Sequence, residues 1–444
     1  MTRRDLILSA SAMLAAPKLS LATFETDITP AVGAPLFTGI ARSIVDRLQA
    51  RGFILSGAAK PFVLVSLDWC EIRNDSYDLW RDRIAAATGT TRERVLLTCI
   101  HQHDTPYTDS YAQKLLTDAK CPDPLCDPAF EQQTIARVAA AASQAKPRPI
   151  THLGTGQARI AGLVSNRRYI QPDGKVSFGR TSATRDPALR ALPEGITDPY
   201  LKTLSFWNND TPVAALNCFS IHPMSYYGQG DITSDFPGLA RAARQQQTPN
   251  IFQLYCSGAS GDTIGGKYND GTPAMRGIMR DKLVQGMQQA WQATKRTPIS
   301  SIDFRNAPLR FEPRDTPGFR IADMQKIVAD PKEPRRRRFD AALGLSWRRR
   351  LQQNRPIDVP CLDFGTASIL LLPAETFVQY QLWAQQVRPD SFVVTLGFSE
   401  CAPGYIPTKS NVDEGYDDHY SWVDLPSAEA SLRSAIRQAL NGRP

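Results

Sequence analysis

Three apolar runs of strand length end on metal-competent side chains, and no other feature constrains the fold as much. Val95–Ile100 leads into His101-Gln-His103, Ala214–Ile221 into His222, and Ser368–Leu372 into Pro-Ala-Glu375. Side chains so far apart in sequence meet only where a fold gathers strand ends, as an open α/β sheet does along the crevice at its carboxyl edge. Two imidazoles and a carboxylate are a common catalytic zinc shell, so Zn2+ is the expected cofactor.

Strand-like and helix-like stretches alternate around these runs. Strands are expected at Pro61–Leu67, Arg94–Ile100, Leu201–Phe206, Ala214–Ile221, Asn250–Cys256, Ile302–Pro313, Val359–Phe364, Ser368–Leu372 and Phe392–Phe398. Helical spacing marks Asp75–Thr88, Pro128–Ala145, Gly238–Gln247, Pro273–Thr294, Thr376–Gln386 and Ser427–Asn441. The expected fold is α/β, with mixed or stacked β-sheets flanked by helices and the site at strand carboxyl ends. With no internal repeat and no linker, residues 23–444 read as one catalytic domain. Leu163–Asp198 and Ser399–Trp422 read as long loops, which in compact domains usually serve function.

If the strand persists past Ile100, His101 and His103 project from one face, which suits one metal ligand and one neighbour. Pro223 takes the chain out of its sheet just where His222 appears. Glu375 has two readings, as a ligand or as an acid at the start of the following helix. The glycine-rich turn Cys256-Ser-Gly-Ala-Ser-Gly-Asp262-Thr263 allows close backbone approach and can present N–H groups to an oxyanion. Its glycine spacing matches neither a Walker loop nor a dinucleotide fingerprint.

Charge and cysteine content narrow the partners. The net charge of +8 is concentrated in Arg335–Arg338 and Arg348–Arg350, which interleave with Leu343, Leu345 and Trp347 as an amphipathic helix with a solvated basic face. Contact with a lipid headgroup or anionic substrate is the other reading of that face. No nucleic-acid module accompanies the charge, and no nucleic-acid partner is expected. Residues 1–22 read as a signal peptide: Arg3-Arg4-Asp5-Leu6 resembles a twin-arginine motif, and Ser20-Leu21-Ala22 ends it. A Sec signal is the alternative, and either route leads to a bacterial periplasm or secretion. No later run approaches the ~20 apolar residues of a transmembrane helix. Among the 8 cysteines, Cys121 and Cys126 are close enough in sequence for a local disulfide.

Short motifs in fixed order carry a resemblance. Asp27-Ile-Thr-Pro30, Thr98-Cys-Ile-His101-Gln-His103, Asn166-Arg167, Ile221-His222-Pro223, Ser234-Asp-Phe-Pro-Gly238, Gly258-Ala-Ser-Gly-Asp262, Pro373-Ala-Glu375 and Gly404-Tyr405 together resemble the catalytic domain of the neutral/alkaline, non-lysosomal ceramidase family. The resemblance implies an α/β catalytic domain, here without the immunoglobulin-like domain that often follows it. It implies one zinc held by His101, His222, Glu375 and Tyr405, with His103 and Arg167 in the substrate pocket and Tyr416 as a further pocket tyrosine. It implies hydrolysis of an N-acyl amide, ceramide-like or other, by zinc-activated water. One departure is plain: the family reads Gly-Asp-Val-Ser-Pro-Asn where this chain reads Gly261-Asp262-Thr263-Ile264-Gly265, leaving Thr263 as the nearest hydroxyl for substrate binding. An esterase on the same site, and a metal-stabilised binding protein without catalysis, stay open at this point.

Overall fold

The computed structural model describes residues 19–57 and 60–441. The twin-arginine pair Arg3-Arg4 lies outside the described residues. Three larger sheets carry the fold, two of five strands and one of four. Each contains one parallel pair, and the remaining pairings within these sheets are antiparallel. Phe62–Leu67 pairs with Val95–Cys99, Thr211–Phe219 with Phe252–Ser257, and Ala367–Leu371 with Phe392–Leu396.

Parallel neighbours need a crossover, and in each case a helix supplies it. The helices are Asn74–Thr88, Asp235–Gln247 and Val378–Val387. The molecule therefore holds three β-α-β units, one per sheet. Phe62–Leu67, Val95–Cys99 and Ala367–Leu371 are buried along their whole length, which is why they read as unbroken apolar runs rather than alternating ones.

The three sheets meet in one interior cluster. Leu64 and Leu96 from the first, Leu216 and Leu254 from the second, and Ile369 and Leu396 from the third pack within it. Each such side chain contributes about 1.5–3 kcal/mol on burial. The strand ends are also tied to one another, since Gly397 N–H donates to Ser257 O at 2.9 Å, Cys99 N–H to Phe398 O at 3.1 Å, and Ser257 Oγ to Ile100 O at 2.8 Å.

Several sequence expectations need revision. Ser20–Asp27 is a strand paired along its length with Gln49–Ser56, and Leu21 is fully buried. The sheet thus starts inside the segment 1–22 that the sequence pattern assigns to a leader. The strands Gln49–Ser56 and His152–Arg159 carry glycines that obscure their pattern. Those glycines serve close approach: a Cβ at Gly156 would lie 2.1 Å from the Ala290 carbonyl of helix Pro273–Gln292.

The arginine-rich segment is one helix, Arg335–Gln352, but its basic face is not simply solvated. Arg338 is buried and donates to the Val328 and Ala119 carbonyls, and Arg350 is buried against Asp78 and Glu400. The planar guanidinium offers donors in several directions and so can meet several acceptors at once inside a protein. All eight cysteines are free, so Cys121 and Cys126 do not form the expected disulfide. The backbone N–H groups of Leu125 and Cys126 are instead fixed by Gln113 Oε1. No helix among the described residues is long and apolar enough to cross a membrane.

Candidate metal centre

The three β-α-β units each deliver one residue to a common point. His101 follows Val95–Cys99, His222 follows Thr211–Phe219, and Glu375 follows Ala367–Leu371. Their ligand atoms converge: His101 Nε2 lies 2.9 Å from His222 Nε2 and 3.6 Å from Glu375 Oε2, and His222 Nε2 lies 3.4 Å from Glu375 Oε2. All three residues are buried.

Backbone geometry at this point is unusual. His101 has φ 76°, Ala374 φ 52° and Phe398 φ 56°, so three residues with a Cβ occupy the left-handed region. Such conformations cost on the order of 1–3 kcal/mol each and persist only where surroundings over-determine them. Here they do: His101 N–H donates to Trp69 O at 3.0 Å, Phe398 N–H to Ala374 O at 3.3 Å, and the Phe398 ring stacks on the His101 imidazole with centroids 4.2 Å apart. The strand has ended at Cys99, so simple alternation does not describe His101 and His103, whose rings stand nearly perpendicular with centroids 5.4 Å apart.

The tautomers follow from the partners. His101 Nδ1 faces the Cys70 carbonyl at 2.9 Å, and His222 Nδ1 faces the Ser260 carbonyl at 2.9 Å. A carbonyl only accepts, so each Nδ1 carries the hydrogen and each neutral ring turns an Nε2 lone pair inward. Glu375 Oε2, buried, has no hydrogen-bond partner among the described residues. Three lone pairs thus face one another, an arrangement that an enclosed cation resolves. The separations are all below the roughly 4 Å that two ligands about 2.0–2.1 Å from one zinc can span. The residues fit the metal.

Electrostatics point the same way. Burial, then His101 and Arg167, hold the His222 imidazole well below its ordinary pKa, so protonation is a poor alternative to a metal. Burial opposes ionisation of Glu375, but the facing Tyr405 hydroxyl and the Arg167 charge favour its carboxylate, and its carboxyl stays below the usual range. Cys70, His101 and His103 form a second group of ligand-type atoms within reach of one another, yet burial and then Glu71 raise the Cys70 thiol well above its ordinary value. That group lacks a ready thiolate.

Glu375 does not begin a helix. It lies in a two-residue strand, Glu375–Thr376, paired in parallel with Tyr405–Ile406, with Glu375 opposite Tyr405. The acid at the head of helix Val378–Val387 is Asp262, whose Oδ1 accepts from Val378 N–H at 2.8 Å. Burial pushes Asp262 up to about 6, against these hydrogen bonds.

The glycine-rich turn acts through its carbonyls. Ser260 O orients His222, Gly261 O accepts from Arg167 Nε at 3.2 Å, and Asp262 O accepts from Arg167 N–H at 2.7 Å. Its Gly258, Ala259 and Gly261 N–H groups are already bonded within the protein, so they are not the oxyanion donors the sequence allowed for. Gly261 has no room for a side chain, since a Cβ there would lie 2.1 Å from Glu375 O.

Arg167, Tyr405 and Tyr416 line one cleft of about 390 Å³ together with Phe178. Arg167 Nη2 lies 3.5 Å from the Tyr405 hydroxyl. Thr263 is placed elsewhere: it is fully buried, its hydroxyl lies 3.3 Å from Ser220 O, and its carbonyl accepts from His222 N–H at 2.8 Å. Ile264 is also fully buried, paired with Ser165. Neither side chain opens to the cleft.

His103 stands beside the ligands, half-buried between Phe37 and Tyr227, with ring centroids 5.0 and 4.9 Å away. Burial, then His101, Arg167 and Arg336, depress its pKa, so it is neutral at pH 7. Asp104, read from sequence only as part of a polar turn, ties the flanking loops together: its carboxylate accepts from the Thr38 hydroxyl and from Gly228 N–H. Nothing in the sequence links Asp104 to Thr38 or Gly228, and only the two His residues beside it mark the region.

Fold and site together define an α/β protein in which three β-α-β units, from three sheets, present a buried His-His-Glu centre fit for a metal. No family model matches the sequence, and no curated protein matches it significantly. The neutral ceramidase of Pseudomonas aeruginosa superposes with a TM-score of 0.69 over 96% of this chain and 75% of that one, at 16% identity. A ceramidase solved in complex with C2 superposes at 0.66 over 96% of this chain and 76% of that one, also at 16% identity. The chain has the neutral ceramidase fold.

Proposed function

We propose that the protein is an exported zinc-dependent hydrolase that cleaves an N-acyl amide bond. The observation that carries this reading is the inward convergence of His101 Nε2, His222 Nε2 and the unpartnered Glu375 Oε2. His101, His222 and Glu375 would hold the ion, with the Tyr405 hydroxyl beside them. When bound, zinc supplies a Lewis acid and lowers the pKa of a coordinated water towards ~7.

The remaining work falls to side chains of the chain. Arg167 is held through Nε by Gly261 O and through Nη2 by the Tyr405 hydroxyl, which leaves Nη1 to grip a substrate oxygen in the cleft shared with Tyr416. His103 is neutral and close to the ligands, so its free ring nitrogen can accept the proton that the attacking water loses and then hand that proton to the leaving amine. The ceramidase fold supports a lipid-like amide as substrate class. With Ile264 buried at the position of the family's serine, acyl or amine preference is set by other residues lining the cleft.

The test is metal content by elemental analysis, followed by a panel of N-acyl amides and matched esters with and without chelator. Chelator-sensitive amide cleavage, restored by zinc, is the expected result. Protein that holds no zinc and whose melting temperature does not respond to zinc would sink the proposal. For export, the burial of Leu21 predicts that the mature amino terminus lies before Leu19, read by amino-terminal sequencing of periplasmic protein.

A further inference from the structure

Beyond Phe37, which packs on His103, lies a second cavity of about 370 Å³, lined by Phe37, Thr38, Gly228, Arg335, Arg336 and Phe339. It opens beside the catalytic apparatus, because Phe37 packs on the His103 ring with centroids 5.0 Å apart and Arg336 lies over the same Phe37 ring. Two guanidiniums line a pocket that otherwise presents phenyl rings and backbone.

How these arginines are held is informative. Arg336 rests over the Phe37 ring at 4.9 Å and the Tyr420 ring at 5.2 Å, while Arg335 lies over Phe339 at 4.9 Å. Each has one acid beside it: Asp340 Oδ1 lies 2.9 Å from Arg336 Nε, and Asp123 Oδ2 lies 3.7 Å from Arg335 Nε. Neither guanidinium directs its Nη groups to a hydrogen-bond acceptor among the described residues. Asp104, which ties Thr38 and Gly228 of this wall together, is engaged by their hydroxyl and N–H. Stacking and one-sided pairing leave a preoriented fork of donors, the geometry that recognises carboxylates and phosphates. The helix also begins with four consecutive arginines and has no acid in its first turn. Positive charge there works against the helix dipole and costs stability, so an anion at this place would relieve it.

We propose that this cavity receives a negatively charged group on the amine half of the substrate, so that the preferred substrates are N-acylated amines bearing a carboxylate or comparable anion. The inference rests on the hydrolase reading: His103 donates to the leaving amine, and the amine half therefore lies on the Phe37 side, with the acyl half in the Arg167–Tyr416 cleft.

The experiment compares N-dodecanoyl γ-aminobutyrate with its terminal carboxamide, which has the same length and lacks the charge. Wild-type protein should favour the carboxylate in kcat/KM by roughly 10- to 100-fold, the scale of a charge-assisted contact, with the difference carried by KM. Arg336→Gln should reduce that ratio at least tenfold, and Arg336→Lys should restore part of it. Arg335→Gln serves as an independent variant, with melting temperatures confirming that each protein is folded. A wild-type ratio near one, or a ratio unmoved in both glutamine variants, overturns the proposal. If neither amide is cleaved, the hydrolase reading fails separately, and calorimetric binding of the two ligands decides. Carboxylate-selective binding lost in Arg336→Gln supports the anion site, and equal binding refutes it. An unmoved ratio with lost sedimentation on phosphatidylglycerol vesicles would assign the arginines to a membrane surface instead.

Discussion

Two buried clusters of charge in the molecule are built on opposite principles. At the metal centre, His101, His222 and Glu375 turn three lone pairs inward with no donor between them. In the other, Glu400 Oε1 accepts from Asn74 N–H at 2.8 Å, Arg350 Nη1 lies 3.1 Å from both Glu400 and Asp78, and Arg355 approaches Asp78 at 2.7 Å. The second cluster contains its own counter-charges: Glu400 Oε2 accepts no hydrogen bond among the described residues but lies 3.1 Å from Arg350 Nη1. The first is complete only with a cation. A buried charged group is costly unless paired, so a cluster the chain itself leaves unpaired marks a binding site, whereas a paired one marks structure.

Removing a ligand should have the largest consequence. His222→Ala should abolish stoichiometric zinc and reduce activity to background, and the wild-type melting temperature should rise with added zinc while the variant's does not. Saturation at 100 times the dissociation constant corresponds to about 2.7 kcal/mol of stabilisation. A variant that still binds one zinc would erase the contrast between the clusters.

Arg350→Ala tests the paired cluster. It leaves Glu400 and Asp78 short of a partner and should cost about 3–5 kcal/mol in denaturant unfolding, yet leave zinc stoichiometry intact in the folded fraction. Loss of metal without loss of stability would reverse the assignment. His103→Ala should keep the metal and lose about 10²-fold in turnover, since the ring neighbours the ligands without belonging to their convergent set.

The smallest effect is in pH dependence. Burial pushes Glu400 up to about 7 from an ordinary 4.5, despite Arg350. Its carboxyl binds a proton more tightly folded than unfolded, so its contribution to stability is full below about pH 4.5 and is lost as pH rises through about 7. Glu400→Gln keeps an oxygen for the Asn74 and Ala402 N–H groups and should flatten the stability curve over that window. Glu375 in metal-free protein has the opposite sign: its lowered carboxyl favours the fold at higher pH and loses that contribution on acidification.

Much of the centre was legible before the fold was known, because parallel strands buried on both faces must be continuous apolar runs, and a His or Glu closing such a run stands out. His101, His222 and Glu375 were visible for that reason. Other readings failed because local pattern does not say what packs nearby. Glu375 has the right spacing for a helix-start acid, but Asp262, 116 residues before the Val378 N–H it accepts from, fills that place. Cys121 and Cys126 are close in sequence, yet remain free. Thr263 offered a hydroxyl, but its side chain turns towards Ser220.

By itself, the sequence determined the element types, the apolar runs that had to be interior, and the identities of three metal-competent residues, since these depend on periodicity and side-chain chemistry. Only the tertiary structure decided that the three follow strands of three different sheets, that the Nδ1 hydrogens of His101 and His222 are committed to the Cys70 and Ser260 carbonyls, and that Phe37 packs between His103 and Arg336. Those facts depend on contacts between segments hundreds of residues apart, where left-handed backbone at His101, Ala374 and Phe398 is held by packing that no local propensity encodes.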